Sequence, residues 1–228
     1  MALATWWHGD YLPPLPKITN FHASLSDDAA LLAQMAHLSV EEVQTRLLQA
    51  HRPYIAWLDD VPVAYGWVAT QTAHVGELDL TITLPVRTRY LWDFATLPAW
   101  RGRGIYPRLL QAILTAEADD KEQFWIIAAP ENHASSAGIA KAGFRSVAHL
   151  SFQREGQPRL IPIEDESRVS AAEALLRVPR LEANAVVTPC WCCAIDANKT
   201  GKTLTDISCW TELAAEDLTL GTCDCGKR

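Results

Sequence analysis

The sequence predicts an α/β (α+β) fold, a mixed sheet flanked by helices, followed by a small cysteine-rich unit at the C-terminus. Two helical segments precede a series of antiparallel strands, and a strand–helix–strand–helix–strand order follows. All six cysteines lie between Cys190 and Cys225. We therefore expect a main domain over residues 1–155 and a separate extension over residues 156–228.

The first half of the main domain predicts two helices and then several strands. Apolar side chains recur at helical spacing within residues 24–51, and Ser39 stands three residues before Glu42, which is typical of a capping box. The segments PYIAWL and VPVAYGWVA, joined by DD, predict an antiparallel hairpin. GELDLTITL alternates apolar and polar residues, which predicts one half-buried strand over residues 76–84. The aromatic-rich TRYLWDFATL predicts a central strand.

The second half predicts alternating helices and strands. A helix is expected to begin close to Ile105 or Tyr106, because the first turn of a helix tolerates a proline such as Pro107. QFWIIAA predicts a buried strand. PENHASSAGIAKAGF predicts a turn and a short helix that ends at Gly143, followed by the strand RSVAHLSFQ. One more helix is predicted within SAAEALLRVPRLEANA, ahead of the cysteines.

Composition narrows the classes of function. The 228 residues are 49% hydrophobic and 21% charged, which is typical of a globular protein. The formal net charge of -7 disfavours nucleic acid as a partner, since no excess of lysine and arginine is present. No run of 18 apolar residues predicts a membrane span, and the N-terminus lacks the features of a signal peptide. We therefore expect a cytoplasmic protein that binds neither nucleic acid nor membrane.

The segment RGRGIY is the first candidate binding site. It lies between a predicted strand and a predicted helix, where the first N–H groups of the helix lack partners and attract anions. Glycines allow close approach to a ligand, and Arg101 and Arg103 add positive charge. This pattern predicts a cradle for a pyrophosphate. The alternative is a tight turn with two solvated arginines.

Two motifs together resemble the GNAT superfamily of acyl-CoA N-acyltransferases. The first, Arg/Gln-x-x-Gly-x-Gly/Ala after a strand, is matched by Arg101 and Gly104 and imperfectly by Tyr106. The second, Asn-x-x-Ser before Gly-Phe, is matched by Asn132, Ser135, Gly143 and Phe144. The resemblance covers about residues 20–153.

The resemblance implies a splayed mixed sheet that holds acetyl-CoA between two parallel strands. The pantetheine arm would pair with the backbone of Ala95, Thr96 and Leu97. The pyrophosphate would bind the N–H groups of the turn, which comprises Arg101, Gly102, Arg103, Gly104, Ile105 and Tyr106. Asn132 and Ser135 match family positions that contact the cofactor arm, and both could also cap the helix that follows them.

Two residues depart from the family pattern. Tyr106 replaces the usual small residue, so its ring could open the turn or cover the phosphates. Ile139 occupies the position, seven residues after Asn132, where many members of the family place a general-acid tyrosine. Because isoleucine cannot donate a proton, the acid must be another group, a water molecule or solvent.

The resemblance implies an enzyme that moves an acetyl group from acetyl-CoA to an amine of a small molecule or peptide by direct transfer. Direct transfer needs a base and an oxyanion donor. The donor is expected to be a backbone N–H near Ala95 or Thr96. Candidate bases are Asp93, Glu77 and Asp79. Asp93 could instead be a buried structural carboxylate, and Glu77 and Asp79 could instead lie on a solvated strand face. The alternative function is a non-catalytic acyl-CoA-binding or metal- or redox-sensing regulatory protein.

The cysteines form two close pairs. Cys190 and Cys192, together with Cys223 and Cys225, could supply four thiolates to a tetrahedral zinc ion. Disulfides or redox-active thiols, and reduced structural cysteines, are the alternatives. The segment could serve as a lid, as the contact of a homodimer or as a platform for the substrate.

Overall fold

The computed structural model describes residues 1–118, 123–129, 132–152, 157–163 and 166–181, together with the two-residue strands at 186–187 and 213–214. The strands are β1 (Ala2–Trp7), β2 (Phe21–Leu25), β3 (His51–Leu58), β4 (Val61–Ala69), β5 (Thr72–Val75), β6 (Leu80–Thr83), β7 (Thr88–Thr96), β8 (Gln123–Ala128), β9 (Arg145–Phe152), β10 (Pro158–Pro162), β11 (Val186–Val187) and β12 (Leu213–Ala214). The helices are α1 (Ala29–Ala36), α2 (Val40–Leu48), α3 (Ile105–Glu117), α4 (His133–Lys141) and α5 (Glu166–Leu176).

Eight strands form one mixed sheet in the order β10-β9-β1-β8-β7-β4-β3-β2. Its neighbours pair antiparallel except β7 and β8, which run parallel. One face of the sheet packs against α3 and α4. The other face packs against α1 and α2 at one end, and against α5 and the β5–β6 hairpin at the other. The predicted α/β class, a splayed mixed sheet flanked by helices, is confirmed.

Local sequence signals fix the first helices and the first hairpin. The side chain of Ser39 accepts a hydrogen bond from the N–H of Glu42, and Glu42 accepts one from the N–H of Ser39, which completes the predicted capping box. Asp59 and Asp60 have φ values of 49° and 61° and form the turn between β3 and β4. Positive φ at both central residues is what a tight hairpin turn requires.

The prediction of one strand over residues 76–84 is wrong in its first half. Residues Gly76–Leu78 form a 3₁₀ turn between β5 and β6, and Asp79 follows it with a φ of 49°. Glu77 and Asp79 therefore do not share a strand face. Glycine and aspartate favour turns, and here that preference outweighs the alternation of apolar residues that continues into β6.

No pattern in the sequence predicts β1 as a strand. It inserts between β8 and β9 and pairs antiparallel with both. Leu3 faces the core beneath α5, and Ala4 and Trp6 face the core beneath α3. A strand buried on both faces has no alternation of apolar and polar residues, so the segment ALATWW lacks the usual pattern.

The packing of the main sheet continues past the predicted boundary at residue 155. Strand β10 pairs with β9 as the edge of the sheet, and α5 buries Val169, Ala172 and Leu176 against the same core as Leu3. Within the residues that the structure describes, no helix has both the length and the apolar character that crossing a bilayer requires.

Candidate active site

The sheet opens at the carboxyl ends of β7 and β8. Their parallel pairing runs from Thr88 opposite Gln123 to Leu91 opposite Ile126 and ends there. Beyond that point β7 pairs only with β4, whereas β8 continues its pairing with β1. A gap therefore separates the ends of the two parallel strands, and we call it the strand gap. In α/β sheets, ligands bind at such openings.

A β-bulge marks the edge of the strand gap on β7. Tyr65 pairs with Ala95 and Trp67 pairs with Trp92, so Gly66 alone faces Asp93 and Phe94. Asp93 has a φ of 50°, in the left-handed region that aspartate tolerates better than most residues. The ring of Phe94 lies where a side chain at position 66 would be, 2.0 Å from an ideal Cβ there. The bulge therefore depends on a glycine at position 66.

Beyond the bulge, the backbone groups of Thr96 point into the strand gap. The N–H of Leu97 donates to the carbonyl of Val63, on the β4 side. Because successive residues of a strand direct their backbone groups to opposite sides, those of Thr96 point to the gap. The Thr96 carbonyl accepts a hydrogen bond from Nε of Arg101 at 3.1 Å. Of Ala95, Thr96 and Leu97, Thr96 is thus the residue that offers an N–H to a ligand in the gap.

Helix α3 begins beside the strand gap without a side-chain cap. It starts at Ile105, as predicted, and Gly104 occupies the N-cap position with a φ of 69°. No side chain caps its first turn, and no acidic residue lies there. The N–H groups of Ile105 and Tyr106 therefore lack intrahelical partners, and the helix dipole adds positive potential. Such a terminus binds anions.

Three arginines surround this terminus and have different partners. Arg101 reaches back to β7, as described above. The guanidinium of Arg103 lies 4.7 Å from the ring centre of Trp100. Arg108 donates to the carbonyls of Gly104 and Pro16, and so ties the segment before β2 to the start of α3. Arg101 and Arg103 are exposed, and their charge is available to an anion at the terminus.

Helix α4 also begins at the strand gap, and Tyr106 joins it to α3. The side chain of Asn132 accepts a hydrogen bond from the N–H of Ser135 at 3.0 Å, so Asn132 caps α4 as predicted. The hydroxyl of Tyr106 lies 3.3 Å from Oγ of Ser135. The ring of Tyr106 packs on Gly138. The ring therefore lies between the two helices, and its centre is 5.6 Å from that of the Phe94 ring.

The opposite face of the sheet presents an aromatic cluster at the bulge. Arg46, in the last turn of α2, forms an ion pair with Asp93 at 2.5 Å. Its guanidinium also lies 4.6 Å from the ring centre of Trp92 and 5.1 Å from that of Trp67. The indole N–H of Trp92 donates to Nδ1 of His51, and burial together with Arg46 lowers the pKa of that histidine. The histidine is therefore neutral at physiological pH.

The structure places the three candidate bases in two locations. Asp93 lies at the bulge, with its side chain 32% exposed and paired with Arg46, not buried among apolar residues. Glu77 and Asp79 lie at the tip of the β5–β6 hairpin, outside the main sheet. The side chain of Asp79 is 74% exposed and lies 3.8 Å from His74. Asp93 is thus the one of the three on a strand that borders the gap.

Sequence reasoning missed Arg46, Phe94 and Gly66 as parts of the site. In the sequence, Arg46 is a basic residue near the end of a predicted helix, where basic residues are common, so nothing there distinguishes it. The glycine after Tyr65, in the middle of a strand pattern, was a usable signal, because an isolated glycine in a strand indicates a bulge or a close approach.

The zinc prediction falls on residues that the structure does not describe, since Cys190, Cys192, Cys223 and Cys225 all lie outside them. Among the described residues, no group of three or more histidine, cysteine, aspartate or glutamate side chains is placed to bind a metal ion. The zinc site therefore stays a prediction.

Several solved structures are similar to part of the chain. A GNAT-family protein from Novosphingobium aromaticivorans shares 15% identity, with 64% of this chain and 59% of that protein covered and a TM-score of 0.44. The aminoglycoside N-acetyltransferase AAC(6')-Iy in complex with CoA shares 17% identity, with 59% of this chain and 98% of that protein covered and a TM-score of 0.44. An aminoglycoside acetyltransferase from an uncultured soil metagenomic sample, in complex with sisomicin, shares 15% identity, with 59% of this chain and 96% of that protein covered and a TM-score of 0.42.

These similarities are distant. This chain spans less than two thirds of the length of the Novosphingobium protein. No curated protein matches the chain. The family model described as "Acetyltransferase (GNAT) family" matches residues 19–144, which are more than half of the chain and include the bulge, the start of α3 and the start of α4. The chain therefore belongs to the GNAT family of acetyltransferases.

Proposed function

We propose that the protein transfers an acetyl group from acetyl-CoA directly to the amine of a small molecule or peptide. The observation that supports this most is the uncapped start of α3 beside the strand gap. A pyrophosphate would bind the N–H groups of Ile105 and Tyr106. The exposed guanidinium groups of Arg101 and Arg103 would add attraction.

The rest of the cofactor would extend along β7. The N–H of Thr96 faces the gap and would pair with the pantetheine arm or with the thioester carbonyl. The extended segment from Leu97 back to the bulge at Asp93 is about 13 Å long, at about 3.3 Å per residue. The thioester would then lie close to the bulge, where β7 leaves β8. Asn132 and Ser135, at the start of α4, would line the other side of the arm.

The acceptor amine would approach the bulge from the face that carries α1 and α2. Of the three candidate bases, Asp93 is the best placed to accept its proton, through Oδ1, the oxygen that Arg46 does not hold. The amine nitrogen forms a bond to the acetyl carbon, the carbon–sulfur bond breaks, and the amine loses one proton. Trp67 and Trp92 make the surroundings of the bulge aromatic on this face.

Two variants at Gly102 test the anion site. Gly102 has a φ of 75°, and an added Cβ would meet nothing within 4 Å, so a side chain fits there. Aspartate and asparagine both tolerate positive φ and have the same shape. We expect Gly102→Asp to bind acetyl-CoA about tenfold more weakly than Gly102→Asn, a difference of about 1.4 kcal/mol. Isothermal titration calorimetry measures both.

The asparagine variant is the matched control, because it differs from the aspartate variant only in charge. Equal affinities of the two variants would place the phosphates elsewhere. A wild-type protein that binds no acetyl-CoA would overturn the proposed function itself. Release of free CoA in the presence of a panel of amines, polyamines and peptides tests the transfer step.

For the C-terminal extension we propose one zinc ion held by Cys190, Cys192, Cys223 and Cys225. Four thiolates are a common ligand set for structural zinc. We expect one zinc per chain in protein purified without a polyhistidine tag, and about two titratable thiols before chelation against six after it. Metal-free protein in which all six thiols react would contradict the proposal.

A further inference from the structure

Arg46 is a largely buried cation that uses few of its hydrogen-bond donors. Its side chain is 20% exposed. Among the parts of the chain that the structure describes, its guanidinium forms one hydrogen bond, from Nη1 to Oδ2 of Asp93. The rings of Trp67 and Trp92 lie close to it, but a cation–π contact gives its N–H groups no oxygen acceptor. Nε and Nη2 therefore donate to no described residue.

The unused donors of Arg46 favour an anion as a ligand. Guanidinium N–H groups that are removed from water without gaining an acceptor cost free energy. A carboxylate matches the guanidinium well, because its two oxygens can accept two N–H groups side by side. Arg46 lies in the last turn of α2, on the face from which the acceptor would approach the bulge. A carboxylate on the acceptor would supply the missing partner.

Arg46 and Asp93 offer one positive and one negative group side by side. Oδ1 of Asp93 accepts no hydrogen bond from the described residues. Two neighbours add no charge at physiological pH, since burial and then Arg46 lower the pKa of His51, and burial and then Asp93 raise the pKa of Tyr65 to about 12. A ligand that carries an amine and a carboxylate close together would complement this pair. An α-amino acid has that arrangement, because a single carbon joins its nitrogen to its carboxyl group.

We propose that the acceptor is a free α-amino acid, an inference that rests on the proposed function. Its carboxylate would bind Nε and Nη2 of Arg46, and its amine would lie at Oδ1 of Asp93. The partly buried ring of Trp92 would contact its side chain. An amino-acid amide, the N-terminus of a peptide or a polyamine has no carboxylate at this position. Each would leave Arg46 without an anion, so the protein should discriminate against all three.

Amino acids and their amides test this preference, because the two differ only at the carboxyl group. Release of free CoA from acetyl-CoA is measured with each common amino acid and with its amide. In the wild-type protein we expect kcat/KM for the best amino acid to exceed that for its amide by about tenfold or more, since hydrogen bonds between charged groups have about that effect. This comparison needs no variant.

Substitutions at Arg46 test whether this residue is the cause. In Arg46→Gln we expect the ratio of kcat/KM between amino acid and amide to fall to about one, mainly through a higher KM for the amino acid. Arg46→Lys keeps the charge and should retain part of the ratio. Lys141→Gln is the matched control, since Lys141 is an exposed basic residue in the last turn of α4, on the other face of the sheet, and should not affect the ratio.

Binding of acetyl-CoA separates the acceptor site from the cofactor site. Isothermal titration calorimetry should give affinities for acetyl-CoA that agree within about twofold between the wild-type protein and Arg46→Gln. Equal kcat/KM for amino acids and amides, faster transfer to polyamines or peptides, or an unchanged ratio in Arg46→Gln would overturn the proposal and leave the proposed function intact. A wild-type protein that binds no acetyl-CoA, or that releases CoA with none of these amines, would overturn both.

Discussion

Replacing Glu117 with alanine should lower the free energy of unfolding by about 3–5 kcal/mol. The side chain of Glu117, in the last turn of α3, is 1% exposed and contacts residues of β3 and β7. It accepts hydrogen bonds from the hydroxyl of Tyr54 at 2.5 Å and from Arg52 at 2.9 Å, and it lies 3.4 Å from Nε of Arg89. Its removal would leave the buried Tyr54 hydroxyl without this acceptor and would take a carboxylate away from Arg89, whose side chain is 15% exposed, which is costly at a buried site. Arg52 is 42% exposed, so its loss of the carboxylate costs less.

Equilibrium denaturation with urea measures the effect. Glu41→Ala is the control, since Glu41 is exposed in the first turn of α2 and should cost less than about 1 kcal/mol, through the helix dipole alone. If the two variants lose similar stability, the buried carboxylate does not hold β3, β7 and α3 together. The same network fixes the end of α3 that lies away from the strand gap, so its loss should leave acetyl-CoA binding by the folded fraction unchanged.

Local signals in the sequence were enough to predict where several helices begin or end. The capping box at Ser39, the start of α3 at Ile105 and the stop of α4 at Gly143 are each decided by a few neighbouring residues. Because a strand, a glycine-rich turn and a helix follow one another there, the elements that border the proposed anion site could be predicted from the sequence. Asn132 as a helix cap belongs to the same class of local signal.

Contacts between distant segments could not be predicted in this way. The insertion of β1 between β8 and β9 joins residues more than 100 positions apart, and nothing near Leu3 indicates its partners. The ion pair of Arg46 with Asp93 is formed across 47 residues. In the β5–β6 hairpin, the alternation of apolar residues continues across a turn. The prediction that Glu77 and Asp79 lie on one strand was therefore wrong. Tertiary packing determines the insertion of β1 and the ion pair, and periodicity alone does not indicate either. In the hairpin, the local turn preference of glycine and aspartate decides the structure.

The bulge itself gives the second large effect. Gly66→Ala should lower the free energy of unfolding by about 1–3 kcal/mol, because the new methyl group would lie 2.0 Å from a ring carbon of Phe94. Gly66 lies in β4, and its φ is not in the positive range that only glycine tolerates well, so the cost is steric rather than conformational. The ring must move, and with it the edge of the strand gap.

A double-mutant cycle with Phe94→Ala isolates that contact. With the ring removed, Gly66→Ala has space and should cost less than about 0.5 kcal/mol, so the coupling between the two sites should exceed about 1 kcal/mol. The four proteins are compared by urea denaturation and by titration with acetyl-CoA. Additive losses of stability would mean that Phe94 does not rest on Gly66. We expect the two substitutions to be coupled in stability, and we expect Gly66→Ala alone to lose affinity for acetyl-CoA. Displacement of Phe94 would shift the backbone that leads to Thr96. The packing at this one glycine would then determine the geometry of the strand gap.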